Sequence, residues 1–335
     1  MELIIDRMTQ VNELIEGKSF LVTGGAGFIG SHLAEYLLKH KAGLVRVLDN
    51  MVNGFESNLD ILRAYPNFEF LEGDIRDLET CKKACDGIEY VSHQAALGSV
   101  PRSIKEPAYF TEVNVSGFIN MLTAAKEGGV KSFVYASSSS VYGDEPTLPK
   151  KEERIGRCLS PYAATKKTNE LFAQIFADVY GIKLMGFRYF NIFGPRQDPD
   201  GPYAAVIPLF VKGIMNNTPV YINGDGKQTR DFTFVENAVQ INVLGMLSTN
   251  EASFNKVYNV AIGERCDVNY LYEQCQLHLR STQQAIHREE RSGDIRDSLA
   301  DISSASELLG YKPTRKFAEG LKETILYFEK KYSNK

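Results

Sequence analysis

At 335 residues, with 43% hydrophobic and 24% charged side chains, the chain has the composition of a folded protein able to bury one large core or two smaller ones. Its 38 basic and 42 acidic residues leave a net charge of -4. That balance argues against nucleic acid or an anionic membrane as a partner, because phosphate surfaces are held mainly by clustered Lys and Arg.

No run approaches the roughly 18 apolar residues that span a bilayer. The N-terminal stretch carries Glu2 and Asp6 and lacks the basic, apolar and small-residue order of a signal peptide, so a cytoplasmic location is expected. Five cysteines, an odd number, are scattered along the chain and do not read as a disulfide framework. Cys81 and Cys85 have helical spacing but no second pair and no nearby histidine, so no metal site is expected.

Leu3, Ile4, Met8, Val11, Leu14 and Ile15 recur at helical intervals and predict a short amphipathic helix over 1–16. From Lys18 to about Arg188, apolar runs at Ser19–Val22, Leu44–Leu48, Phe68–Glu72, Tyr90–His93, Ser132–Ala136 and Lys183–Arg188 alternate with helical stretches at 28–40, 57–64, 77–85, 111–127 and 161–180. This repeat predicts an α/β fold, a doubly wound parallel sheet wrapped by helices on both faces. Gly and Pro punctuate 194–202 and 223–226, marking loops where a smaller mixed α/β lobe closes over a site.

Gly24, Gly27 and Gly30 follow the first strand at three-residue intervals and open the helical stretch Ser31–His40. Gly24 permits a tight turn, Gly27 lets backbone approach a pyrophosphate, and Gly30 lets the helix pack on the strand. Asp49 ends the next strand, where a carboxylate accepts from a ribose 2′-hydroxyl and repels a 2′-phosphate, which favours NAD over NADP. Tyr162 and Lys166, four residues apart, share one helical face. A phenol of pKa about 10 is a poor base at neutral pH, and nearby positive charge from Lys166 and an oxidised nicotinamide is expected to lower it. Ser137, Ser138, Ser139 and Ser140 follow an apolar strand, where one hydroxyl can hold a substrate oxygen in line with Tyr162.

With Thr23–Gly30, His93–Ala96, Ser137–Gly143, Tyr162–Lys166 and Arg188–Asn191 quoted, the chain resembles the extended short-chain dehydrogenase/reductase family over nearly its whole length. Through 94–103, 221–226 and 293–301 it is most similar to nucleotide-sugar 4-epimerases of the UDP-N-acetylglucosamine/UDP-N-acetylgalactosamine branch, or of their uronic acids. The resemblance implies Ser138, Tyr162 and Lys166 as the catalytic residues. It implies NAD as cofactor, lined by the glycine turn with Phe28 and Ile29, by Asp49, Asn50, Asp74, Ile75, Gln94, Ala95, Ala96 and Asn114, and by Tyr162, Lys166 and Tyr189. A UDP-sugar is implied at Ser99, Ser138, Ser139, Ser140, Asn191, Ala205, Val206, Tyr221, Asn223, Arg230, Arg291, Asp294 and Ser298. Guanidinium groups suit the paired oxygens of a diphosphate.

Residues 1–190 and 232–262 are expected to form the NAD-binding Rossmann domain, and 191–231 and 263–335 the UDP-sugar-binding lobe. The resemblance further implies a homodimer paired through helices at about 111–127 and 161–180.

Within this branch, small Ser298 implies room for an N-acetyl group, and Gly98 stands where epimerases of plain UDP-galactose carry lysine. Val141 replaces the threonine of most N-acetyl relatives and is expected to pack inward. A nucleotide-sugar 4,6-dehydratase needs a carboxylate beside the catalytic hydroxyl, whereas Ser139 follows Ser138 and no Asp or Glu comes before Asp144. A UDP-glucuronate decarboxylase needs a further acidic and basic pair that nothing in the sequence assigns. A non-catalytic dinucleotide-binding scaffold is the alternative from a different class, since fold does not fix function.

Overall fold

A computed structural model describes residues 8, 11–200, 204–289 and 296–333, with side chains through Tyr332. Seven parallel strands form the central sheet: β1 (Ser19–Thr23), β2 (Leu44–Asp49), β3 (Phe68–Glu72), β4 (Tyr90–His93), β5 (Ser132–Ser138), β6 (Leu184–Tyr189) and β7 (Lys256–Val260), in the order β7-β6-β5-β4-β1-β2-β3. The order reverses between β1 and β4, whose ends Thr23 and His93 lie side by side. A reversal of this kind opens a crevice at the carboxyl ends of the strands.

The pleat sends successive side chains to opposite faces. Phe20 and Val22 of β1 enter the core beneath α1 (Phe28–Lys39) and α2 (Glu56–Leu62). Leu21 enters the core beneath α3 (Leu78–Cys85), α4 (Gly117–Glu127) and α5 (Pro161–Tyr180). Burial on both faces explains why β1 reads as an apolar run rather than as an alternating one, whereas edge strand β3, FEFLE, alternates.

A third apolar cluster lies off the sheet, built from α6 (Val206–Met215), α8 (Val268–Leu279) and α9 (Phe317–Ser333) around Phe193, Phe232 and Phe317. Three two-stranded ribbons surround it, pairing Ile192–Phe193 with Thr233–Phe234, Thr229–Arg230 with Cys266–Asp267, and Tyr221–Asn223 with Ile286–Arg288. Between these ribbons, α7 (Val235–Met246) returns the chain to the sheet beside α1.

Two expectations are corrected and one element is added. The stretch 111–127 is not one uniform helix, because a π-helical turn at Glu112–Ser116 precedes α4. Widening the helix there turns Asn114 inward, where its side chain accepts from Leu97 N at 2.8 Å and donates to Leu97 O at 3.0 Å. Strand β7 was not anticipated as an element, although it completes the sheet beside β6. Leu14 is exposed while its neighbour Ile15 is fully buried, so the N-terminal apolar stripe is broken there; Leu3 and Ile4 lie outside the described residues.

Candidate active site

The turn after β1 is close-fitting. Gly24 has φ +68°, and a Cβ there would stand 2.7 Å from Ala95 N, so this position requires glycine on both counts. A Cβ on Gly30 would collide with the Gly24 carbonyl. Gly27 precedes α1 with no side-chain cap, which leaves the first-turn N–H groups of the helix to an anion. A cavity of 580 Å³ opens over this turn.

Gly24, Gly27, Phe28, Ile29, Gly30, Asp49, Asn50, Ile75, Gln94, Ala95, Ala96, Tyr162, Lys166 and Tyr189 all line that cavity. Asp74 and Asn114 are not among its lining. Asp74 instead accepts from Asn50 Nδ2 at 2.9 Å and Arg76 Nη2 at 2.8 Å, and these partners hold its carboxyl down to about 2 against burial. Asn114 is the clamp on Leu97, and it also donates to Thr165 Oγ1 at 3.2 Å. Asp49 accepts from Ala26 N at 3.0 Å and Met51 N at 2.9 Å, and burial raises its pKa against those bonds. Gln94 and Tyr189 share hydrogen bonds with Asn242 at one wall.

Helix α5 brings in the phenol and the ammonium. Ser160 caps it by accepting from Ala163 N at 3.1 Å, Pro161 occupies its first turn, and Gly181 ends it at φ +69°. Lys166 Nζ donates to Ala136 O of β5 at 2.8 Å. Ser140 donates to Ser138 Oγ from both its amide, at 3.2 Å, and its hydroxyl, at 2.9 Å. Val141 is fully buried.

Burial dominates the titration of both groups. It lowers Lys166 to about 8 and raises Tyr162, a rise that a hydrogen bond with Ser138 partly offsets. Within the chain itself burial sets the direction at Tyr162, and the lowering expected from Lys166 acting together with an oxidised nicotinamide belongs to the dinucleotide-bound pocket.

Ser139 and Asn191 also line the first cavity. Asn191 and Ile192 belong as well to a second cavity of 320 Å³, lined by Ala205, Val206, Tyr221, Asn223 and Arg230. Of the other described residues expected at the sugar, Ser99, Ser140 and Ser298 line neither cavity. Ser99 caps the short helix Val100–Lys105 through Arg102 N, and Ser298 N donates to Thr229 O at 3.1 Å. Arg291 and Asp294 lie outside the described residues.

Sequence reasoning passed over Val52–Phe55, Tyr109, Arg196 and Gln197, which line the first cavity. The Asn53-Gly54 turn signal just beyond Asp49 was the available clue to the first of these. It also missed Asp231, a buried carboxylate that accepts from Ile262 N, Gly263 N and Ala300 N and so ties three segments together behind Arg230. Burial raises Asp231 to about 6 against those bonds.

Strand-order reversal above a glycine turn is how doubly wound sheets take dinucleotides, and the same opening here holds a phenol, an ammonium and a serine. Fold and site together define a dinucleotide-dependent enzyme that handles a substrate hydroxyl. Residues 20–261 match the family described as "Epimerase: NAD dependent epimerase/dehydratase family", and the chain belongs to it.

A solved UDP-N-acetylglucosamine 4-epimerase from Methanobrevibacter ruminantium, in complex with UDP-N-acetylmuramic acid, is similar at 38% identity and TM-score 0.89 over 94% of this chain and 99% of that one. A UDP-glucose 4-epimerase of Thermotoga maritima with UDP-glucose is similar at 36% identity and TM-score 0.87 over 93% and 99%. A UDP-glucuronate 4-epimerase of Thermodesulfobacterium geofontis is 32% identical over 91% of this chain and 94% of its own length.

Proposed function

We infer that this chain, an NAD-dependent UDP-sugar 4-epimerase, acts on UDP-N-acetylhexosamine and interconverts its gluco and galacto forms. The observation that carries the reading is adjacency: the cavity holding Ser138, Tyr162 and Lys166 and the one holding Arg230 share Asn191 and Ile192 in their walls. The glycine turn, the uncapped start of α1 and the carboxylate of Asp49 fit NAD, which when bound supplies reversible oxidation at the sugar C4 and so a transient 4-keto sugar.

The protein's own part is proton handling and grip. Tyr162 takes the C4 hydroxyl proton and later returns it, and Ser138 fixes the oxygen it came from. Arg230 anchors the diphosphate while the sugar turns over, so binding far from C4 retains the intermediate. Residues 1–190 and 232–262 serve the dinucleotide, and 191–231 and 263–335 the UDP-sugar. At Gly98, which lines the first cavity, an added Cβ would meet nothing within 4 Å, and that open space suits a bulky 2-acetamido sugar better than a lysine there would.

We place the enzyme in the cytoplasm as a homodimer joined through the helices at about 111–127 and 161–180, the second of which, α5, carries Leu171, Ile175 and Val179 as an exposed apolar stripe at four-residue intervals. Among the described residues no helix is long and apolar enough to cross a membrane.

The test is incubation of the purified protein with UDP-N-acetylglucosamine, without added NAD, followed through the anomeric proton by NMR. The galacto isomer should accumulate to equilibrium. Turnover of UDP-glucose or UDP-glucuronate alone would refute the N-acetylhexosamine assignment, and a 4-keto-6-deoxy product would make the enzyme a dehydratase.

A further inference from the structure

The ribbon at the mouth of the second cavity pairs Tyr221 with Ile286 and Asn223 with Arg288. Tyr221 and Asn223, two residues apart on a strand, present their side chains on one face. Both line the cavity. Arg288 meets both of them: its Nε donates to Asn223 Oδ1 at 2.6 Å, and its guanidinium lies 5.1 Å from the centroid of the Tyr221 ring. The Asn223 backbone is held separately, by Gln228 Nε2 donating to its carbonyl at 3.0 Å.

A guanidinium carries donors and no acceptor, so it fixes which end of an amide faces it. Turning the Asn223 amide round would set N–H against N–H. Its Nδ2 donors are therefore held on the side away from Arg288, and among the described residues they have no hydrogen-bond partner.

We propose that Arg288 is a positioning residue for nucleobase choice: by occupying Asn223 Oδ1 it makes the amide a donor toward the cavity, which selects a base with a carbonyl edge, as in uracil, over one with an amino group there, as in cytosine. The proposal rests on the proposed UDP-sugar function, with the uridine end of that substrate seated in the second cavity beside Tyr221 and Asn223. A site built around a hydrogen-bond donor rejects a ligand that offers another donor, because both groups are then left unpaired.

Calorimetric titration of the full chain with UDP and with CDP tests it. The unaltered protein should prefer UDP by about tenfold or more. Arg288→Ala, a change at an exposed position, should shrink that ratio by about fivefold. Asn223→Asp, which replaces the donors with an acceptor, should shift preference toward CDP. In steady state the loss from Arg288→Ala should fall on KM for the UDP-sugar more than on kcat, since the base lies far from the reacting carbon.

An unchanged UDP-to-CDP ratio in either variant overturns the proposal. A protein that epimerises UDP-sugars yet binds UDP and CDP alike overturns it while leaving the proposed function intact. One that binds neither nucleotide removes the uridine reading as well.

Discussion

Lys166 is an ammonium kept dry on the floor of a cavity, with one carbonyl 2.8 Å away as its hydrogen-bond partner. Its folded-state pKa of about 8 lies below the ordinary 10.5. Between those values the unfolded chain binds a proton that the folded chain has released, so this group makes stability rise with pH across the window. Below about pH 8 both states hold the proton, and the folded one bears the whole cost of burying it. The unfolding free energy of the native protein relative to Lys166→Met should therefore climb from pH 8 to 10; a flat difference would show an ordinary lysine. Tyr162→Phe removes the proton acceptor without reshaping the pocket and should lower kcat by roughly 10²–10⁴-fold with KM little changed, as read by NMR of product formation.

At the scale of elements, α5 is joined to the sheet by a buried ion pair one turn beyond Lys166. Glu170 Oε1 accepts from Arg188 Nε at 2.8 Å and from Ser137 Oγ at 2.7 Å, and Glu170 Oε2 accepts from Arg188 Nη2 at 2.9 Å. Glu170→Ala leaves a buried guanidinium unpaired and should cost about 3–5 kcal/mol in urea unfolding, whereas Glu170→Leu with Arg188→Leu together should cost less. A single variant as mild as the double would mean that Arg188 finds another partner.

Neither residue drew notice as a pair in the sequence, since eighteen positions separate them and only the packing of α5 against β6 brings them together. Strands β1, β5 and β6 were legible because burial on both faces writes an apolar run, and edge strand β3, FEFLE, showed through its alternation. Strand β7, KVYNV, was less so: Asn259 is fully buried yet polar, satisfied by Tyr142, Lys150 and Asp301. In the same way Tyr162–Lys166 showed as a spacing, while the desolvation that governs both pKa values showed only once the helix lay against β5.

For the molecule as a whole, the stripe on α5 predicts a change of assembly. Ile175→Glu should turn a dimer into a monomer in sedimentation equilibrium, with the fold retained by circular dichroism; a monomer before substitution would refute the proposed pairing. The two chambers of one protomer share a wall as well. Asn191 and Ile192 face both, and Asn191 Nδ2 donates to Asp231 O at 3.2 Å, which links that wall to the buried carboxylate of the same residue. Occupants of adjoining rooms with a common partition are expected to bind interdependently: if UDP tightens the dinucleotide, the dinucleotide must tighten UDP by the same equilibrium factor. Retention of the redox partner through many turnovers then becomes a property of the loaded nucleotide site as much as of the glycine turn. Equal UDP affinity with and without the dinucleotide would show the partition to be rigid.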